Sequence, residues 1–201
     1  MKKVLMHCCC APCFITIQED ISQNGMLING QRVPVEMTAF WYNPNIHPKA
    51  EYDRRLDSFI KFCEMKEQDK VILDEYDLQG FTRDVVEQVG EGKKWDIRCK
   101  YCYYRRLEAA FKYAAENGYD IVSTTLTRSP FQNHDAINFV AELLSKKYGV
   151  DYVYSDYRHT YYEGQKKARE YGLYMQKYCG CVFSEEDRYK EKIEKDRKKF
   201  K

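Results

Sequence analysis

Lys3-Val4-Leu5-Met6-His7-Cys8-Cys9-Cys10-Ala11-Pro12-Cys13 opens with a short apolar run and then places four thiols within six residues. The apolar run reads as the first strand of a buried sheet. A strand that runs into thiols delivers them to the edge of that sheet, where open α/β folds put their chemistry. Neighbouring residues of an extended chain face opposite ways. Cys9 and Cys10 can therefore serve one centre only if the backbone turns there, and Pro12 biases it to do so.

Outward from this stretch the pattern alternates. Phe14 to Ser22 reads as a helix, Asn24 to Pro34 as an insertion or surface hairpin, and Val35 to Trp41 as a second strand. Two prolines and two asparagines in Tyr42-Asn43-Pro44-Asn45-Ile46-His47-Pro48 make a loop leaving the sheet. In Lys49 to Lys66, Tyr52, Leu56, Phe59, Ile60 and Cys63 recur at helical spacing, and Cys63 reads as an ordinary buried thiol of that stripe. A third strand at Val71 to Leu73 precedes a helix over Phe81 to Val89, stopped by Gly90-Glu91-Gly92. Trp95 to Cys102 brings Cys99 and Cys102 to the start of a strong helix carried by Leu107, Ala110, Phe111 and Ala114, with free backbone amides nearby to stabilise thiolates. Ile121 to Thr125 is the fourth strand, Leu126 to Asn133 a polar loop, and a helix runs on through Tyr148. Tyr152 to Tyr154 and Tyr162 to Tyr171 supply a fifth strand and another helix. Strands alternating with helices specify a parallel sheet of about five strands covered on both faces.

The length of 201 residues and a hydrophobic content of 44% fit one domain over 1–201, its segment 184–201 a basic C-terminal helix or tail. Nine cysteines are the anomaly. No apolar export segment opens the chain and no stretch approaches a membrane span, so the expectation is a cytoplasmic protein whose thiols bind metal or do redox work. A net charge of +2 does not itself argue for a nucleic-acid partner. Its distribution says more: Arg188 to Lys201 holds eight basic and three acidic residues, and Arg98 to Arg106 has four basic residues beside two cysteines.

Tyr178-Cys179-Gly180-Cys181 is the third thiol group. Structural zinc takes four ligands, commonly from paired Cys-x-x-Cys knuckles, and only Cys99 to Cys102 has that spacing. An iron–sulfur cluster also takes four thiolates and tolerates ligands from distant loops. Outside the Cys63 helix eight thiols remain, more than either centre needs, which leaves room for a second metal or a redox dithiol. The first loop carries cysteines where a dinucleotide-binding fold would carry Gly-x-Gly-x-x-Gly, so phosphate binding gives way to metal binding there.

His7 to Cys13, Phe40 to Pro48, Arg98 to Leu107 and Tyr178 to Cys181 together resemble the QueH family of epoxyqueuosine reductases over essentially the whole chain. The resemblance implies a Rossmann-like fold of the adenine nucleotide alpha-hydrolase, or HUP, type. It also implies removal of the epoxide oxygen from epoxyqueuosine at the tRNA wobble position, with a 4Fe-4S cluster and iron but no cobalamin. Carried onto this sequence, Cys9, Cys10, Cys99 and Cys102 are the expected cluster ligands, Cys13 a metal ligand that can replace one of them or serve a further iron, and Cys179 and Cys181 a catalytic pair that is either a redox dithiol or the ligands of one additional iron. Cys8 falls where the family pattern does not demand cysteine.

Epoxide removal consumes two electrons and two protons, so the site needs an electron donor, an oxygen-binding Lewis acid and an acid. Asp135, His134 and His47 are the candidate acids, because they lie in or just after the loops leaving the fourth and second strands; Asp135 can equally serve helix amides and His47 brace its loop. Among 18 tyrosines, Tyr101, Tyr103 and Tyr104 adjoin Arg105 and Arg106, and Tyr157, Tyr161 and Tyr162 adjoin Arg158. Rings beside cations suit the single-stranded anticodon loop of a tRNA, with the basic tail along its backbone. Two rivals stand beside this reading: a sulfur-transferring or nucleotide-activating tRNA enzyme, and a zinc-stabilised RNA binder.

Overall fold

The computed structural model describes residues 1–90 and 95–199, with backbone alone at 95, 96, 187 and 188. Glu91 and Gly92 of the expected helix stop, and the last two residues of the tail, lie outside the described residues. Strand β1 (Lys2–His7) leads through the thiol turn into α1 (Ala11–Asn24). A hairpin of β2 (Met26–Ile28) and β3 (Gln31–Val33) precedes β4 (Val35–Trp41), followed by α2 (Lys49–Met65), β5 (Lys70–Ile72), α3 (Leu78–Val89) and α4 (Trp95–Glu116). Then come β6 (Ile121–Thr124), a 3₁₀ turn over Thr125–Arg128, α5 (His134–Tyr148), β7 (Asp151–Tyr152), α6 (Tyr161–Glu170) and α7 (Val182–Lys199).

The main sheet is parallel throughout, in the order β5-β4-β1-β6-β7. From β1 the chain winds outward through β4 to β5, then returns to the other side of β1 as β6 and β7. The carboxyl ends of β1 and β6 thus flank the point where the winding reverses, where an open sheet leaves a crevice. His7 closes β1 there, level with Phe40 and Thr124.

Both faces of β1 are covered, which is why its sequence is a continuous apolar run. Val4 and Met6 join Phe14, Trp41, Phe59 and Phe62 under α1 and α2. Leu5 joins Phe40, Leu107, Phe111 and Ile137 under α4 and α5. Phe14 is fully buried, its ring 6.4 Å from that of Phe59 and 5.7 Å from that of Phe62; burying such a side chain contributes about 2–3 kcal/mol. The stripe expected on α2 is present in Tyr52, Leu56, Phe59 and Cys63, with Phe62 fully buried and Ile60 only partly so.

The stretch expected as an insertion or surface hairpin is a hairpin turning at Asn29-Gly30, whose φ values of 49° and 80° are those of the tight turn this dipeptide favours. Two expectations shift. The fifth strand sits at Asp151–Tyr152, ahead of the expected Tyr152 to Tyr154, and Val153 adds a bond from its N–H to the Val122 carbonyl at 3.2 Å and accepts one from Ser123 Oγ at 2.9 Å. Helix α4 begins at Trp95, so Cys99 and Cys102 are past its first turn and not at the helix start where the sequence put them.

A candidate thiol-rich metal centre

The turn after β1 folds three thiols together. The Sγ atoms of Cys9, Cys10 and Cys13 all lie within 4.8 Å of one another. Cys10 is the extended residue that caps α1, and Pro12 occupies the first helical turn, where a missing N–H costs nothing. The first turn of α1 then carries Cys13 back against Cys9 and Cys10. Thr125, just past β6, fixes the turn from the other side: its Oγ1 accepts from the Cys9 N–H at 3.0 Å and lies 3.3 Å from Cys9 Sγ. Gln176 Nε2 reaches Cys10 Sγ at 2.8 Å.

These three thiols differ in how their surroundings treat a negative charge. Thiol donors from Cys10 and Cys13, with Arg106 and Thr125, hold Cys9 well below the usual thiol range against the opposing effect of burial. Burial above all pushes Cys10 up to about 12, and the bonds it and Cys9 make with Cys13 raise Cys13 far above its ordinary value. The thiolate form is thus favoured at Cys9 and disfavoured at Cys10 and Cys13.

Cys8 points the other way. Its Sγ donates to the Met6 carbonyl at 3.2 Å, and it is fully buried in the core with Cys63. His7 is also buried, and desolvation, followed by the field of Arg106, lowers it to about 3. Its Nε2 faces the Tyr42 carbonyl at 3.4 Å and must carry the proton, so Nδ1 accepts from Thr124 Oγ1 at 2.9 Å. His7 is a neutral strut between β1 and its neighbours.

The remaining motif thiols interact with one another, and Cys102 and Cys179 also with Arg106. This arginine of α4 is 4% exposed and donates to Asn43 Oδ1 at 2.6 Å. Burial opposes its charge, but the thiols of Cys102, Cys9 and Cys179 favour it more strongly, and its pKa is raised. Three sequence-distant thiol groups therefore meet around one guanidinium. Cys102 is pushed up to about 12 by burial, with Cys179 and Cys99 adding to the effect. Among the described residues, Cys9, Cys10 and Cys13 are the only three cysteines in mutual contact; Cys99 and Cys102 stand outside that group.

The Cys-Gly-Cys turn is held from α2 and from the loop after β4. Arg55, 3% exposed, donates to the carbonyls of Cys179 and Tyr178, each at 3.0 Å, and pairs with Glu51 at 2.7 Å. Tyr174 completes the carboxylate at 2.6 Å. His47 N–H donates to the Gly180 carbonyl at 2.7 Å, and Ile46 pairs with Cys181. Cys179 is exposed and Cys181 half-buried; no disulfide joins them. Burial, then Cys102 and Cys179, pushes Cys181 up to about 12.

A cavity of about 630 Å³ opens between these parts, lined by Cys9, Cys13 and Cys179 together with Arg55, Arg106 and Arg128. Phe131, Tyr161 and Tyr178 supply its aromatic wall. Arg128 is fully buried, and its guanidinium donates to Thr16 and to the carbonyls of Thr160 and Tyr161.

The candidate acids are placed elsewhere. Asp135 is exposed in the first turn of α5, near Tyr154 and Arg158, and is not among the cavity-lining residues. His134 bridges Tyr154 Oη at 3.0 Å and the Ser129 carbonyl at 3.2 Å, bracing its loop. His47 serves the thiol turn through its backbone, and its ring lies 3.9 Å from Glu185. Tyr103 and Tyr157 are buried, whereas Tyr162 is exposed. Sequence reasoning missed Arg55 as a holder of the third thiol group, and Asn43, Thr125 and Gln176 as partners of Arg106 and the thiols; Arg106 itself is one of the four cations that the sequence offers beside Cys99 and Cys102 to offset thiolate charge.

A family model described as epoxyqueuosine reductase QueH matches residues 4–187. Among curated relatives, an epoxyqueuosine reductase QueH of Dehalococcoides mccartyi is 33% identical over 187 residues, covering 93% of this chain and 94% of the relative. One of Thermotoga maritima is 32% identical, covering 99% and 98%. One of Haemophilus influenzae is 33% identical, covering 99% and 78%.

Proposed function

The chain belongs to the epoxyqueuosine reductase QueH family, and from that premise we propose that its thiol-lined cavity takes the wobble nucleoside of a tRNA and removes the epoxide oxygen. The enzyme is an oxidoreductase, an epoxyqueuosine reductase. The observation that carries the reading is the meeting of thiols from three motifs around buried Arg106, beside a cavity that Cys9, Cys13 and Cys179 line.

The protein atoms fit a bound metal centre. Arg106 Nε is buried with no acceptor among the described residues, a donor left unpaired beside the thiols of Cys9 and Cys102. The nearby donors are soft thiols, which suit iron–sulfur clusters. Cys9, Cys10, Cys99 and Cys102 would hold a 4Fe-4S cluster, with Cys13 near enough to Cys9 and Cys10 to ligate a further iron. When bound, the cluster would supply single electrons and the iron a Lewis acid, with no need of cobalamin.

The chain's own residues account for the rest. Opening the epoxide to an alkene takes two electrons and two protons and releases water. Cys179 and Cys181 as a dithiol contain that number of each, and become a disulfide as they give them up. Arg55 and the Ile46–His47 backbone fix the pair at the cavity wall. Arg106, charged and buried, compensates thiolate charge as protons leave. The electron donor that restores the dithiol is external to this chain.

The test is chemical. Epoxyqueuosine-containing tRNA is incubated anaerobically with the iron-loaded protein and a reductant, then digested to nucleosides for mass analysis. The expected product lacks one oxygen. Sulfur gain that depends on ATP, or no change despite an intact cluster and a competent reductant, would overturn the proposal.

A further inference from the structure

Phe131 lines the mouth of the thiol cavity yet is 78% exposed. A lone exposed apolar side chain is ordinary on a protein surface. The loop that carries this one is not ordinary, because it is fixed on both sides of the ring. Phe131 N–H donates to Ser129 Oγ at 3.2 Å, and the Ser129 carbonyl accepts from His134 Nε2 at 3.2 Å. On the other side, buried Tyr103 donates to Gln132 Oε1 at 2.7 Å and accepts from the Asn133 N–H at 3.3 Å. The backbone is anchored while the ring is left largely uncovered.

Its neighbours extend the surface. Tyr161 meets Phe131 edge-on at 5.9 Å, and Tyr162, 81% exposed, meets Tyr161 edge-on at 5.4 Å. The Arg128 guanidinium lies 5.5 Å from the Tyr161 ring centre. Aromatic faces beside a cation, at the opening of a cavity lined by three arginines, match an RNA loop in chemistry: flat bases on a polyanionic backbone. A nucleoside that enters the cavity leaves its stack, and the base beside it loses a stacking partner.

We propose that Phe131, with Tyr161 at its edge, is the stacking platform for the anticodon-loop base adjacent to the nucleoside that enters the cavity. This rests on the tRNA reading above and adds to it a recognition residue separate from the thiol chemistry. Phe131 replaces the stacking that the neighbouring base gives up, so it contributes to RNA binding and not to oxygen removal.

A double-mutant cycle on binding decides it without relying on turnover. Fluorescence anisotropy of a labelled anticodon stem-loop RNA is measured with the iron-loaded wild type and with Phe131→Ala and Phe131→Trp. The same three proteins are tested on RNAs with an abasic residue on either side of the wobble position. Phe131→Ala should weaken binding of the intact loop about tenfold, and Phe131→Trp should restore it. With the abasic residue at one flank, the effect of Phe131→Ala should shrink at least threefold. Equal effects on intact and both abasic RNAs, or no effect on the intact loop, would overturn the platform, as would a wild type that does not bind the loop. A wild type that binds with this coupling but removes no oxygen would instead sink the reductase reading and leave the platform standing.

Discussion

Arg55 Nη1 lies 3.0 Å from the carbonyl oxygen of Cys179, so a helix from the first half of the chain holds the last of the three thiol groups. The same guanidinium bonds the Tyr178 carbonyl and pairs with Glu51, and both side chains of the pair are at least nine-tenths buried. A buried ion pair is weak evidence for stability in itself, but removing one partner leaves the other charge uncompensated. Its use here is geometric. Two planar donors aimed at successive carbonyls fix the turn in a way that one ammonium cannot.

Arg55→Lys therefore tests positioning. The charge is kept and the fork is lost, and the variant should lose about 2–4 kcal/mol in urea unfolding, part of the 3–5 kcal/mol of a fully broken buried pair. In the folded variant Cys179 should be alkylated several times faster than in the wild type. Equal unfolding midpoints and equal alkylation rates would show that the turn holds itself.

Gly164→Ala should destabilise although it sits in helix α6. An alanine in place of a mid-helix glycine ordinarily gains about 1 kcal/mol. Here a Cβ would come 2.2 Å from Arg128 Nη2 and 2.9 Å from the Pro12 carbonyl, so the buried guanidinium or the start of α1 must shift. The expected net loss is about 1–3 kcal/mol, as for overpacking. Thermal unfolding checks it, and an Arg128→Leu background should reduce the loss. A raised melting temperature would contradict the tight seat assigned to Arg128.

Arg55, and the burial of Arg106, explain what the sequence left open. Arg55 is three residues after Tyr52 and four before Phe59, and Arg106 is three after Tyr103 and four before Ala110, so both lie on buried stripes. Arginine is rarely buried, and Glu51 with Arg55 has the spacing of an ordinary surface pair. Spacing was the available signal, and residue type argued against it. The strands were legible for the opposite reason, since Val4-Leu5-Met6 and Val35 to Trp41 are apolar runs whose type and position agree. Cys13 joins Cys9 and Cys10 because one helical turn returns it, which the Pro12 turn foreshadowed. Asp135 could not be placed from sequence, because the 3₁₀ turn after β6 decides which residues of that connection face the cavity.

Glu19 contributes to the acid side of stability. Burial works to raise it, but bonds from Lys167 at 2.6 Å, Lys66 at 2.9 Å and the Tyr171 hydroxyl at 2.7 Å outweigh burial and hold it at about 2. A carboxylate depressed in the fold stabilises fully above its unfolded pKa of about 4.3 and loses that contribution as pH falls through the folded value. Wild-type stability should fall between about pH 4.5 and 2. Glu19→Gln should be less stable at pH 7 and have a flatter profile in that window, measured by urea unfolding at a series of pH values. Parallel profiles would remove Glu19 from the acid transition.

Arg106→Met keeps most of the buried volume and removes the charge. Cys9 then loses one of the influences that hold its thiolate, and Asn43 Oδ1 loses its donor. Unfolding should cost about 1–3 kcal/mol from that unpaired oxygen alone. In iron-free protein, alkylation of Cys9 at pH 7 should slow, because a smaller fraction is thiolate. Iron and acid-labile sulfide per chain after anaerobic reconstitution should fall below half of the wild-type content. Unchanged reactivity and unchanged iron would show that the cation is a packing feature only.

Cys179 and Cys181 are the remaining question of chemistry, and their unequal surroundings predict an order of events. Cys179 is exposed on the cavity wall, while Cys181 is half-buried and pairs with Ile46, and burial pushes its thiol up to about 12. Thiol exchange begins from the accessible sulfur. Alkylation of the reduced protein should therefore mark Cys179 well before Cys181. Replacing either by serine should reduce turnover below about one-hundredth, since a reaction that needs two electrons cannot draw them from one thiol. If Cys9, Cys10, Cys99 and Cys102 hold the cluster, both variants should keep the 4Fe-4S absorption and the paramagnetic signal of the reduced protein. Anaerobic thiol counting before and after one turnover separates the two roles open to the pair. A dithiol loses two thiols per oxygen removed, and reduction restores them. Loss of one non-cluster iron in the serine variants, with no thiol consumed on turnover, would make the pair iron ligands instead. Loss of the cluster in either variant would move Cys179 or Cys181 into the cluster itself, a result their nearness to Cys102 makes worth measuring.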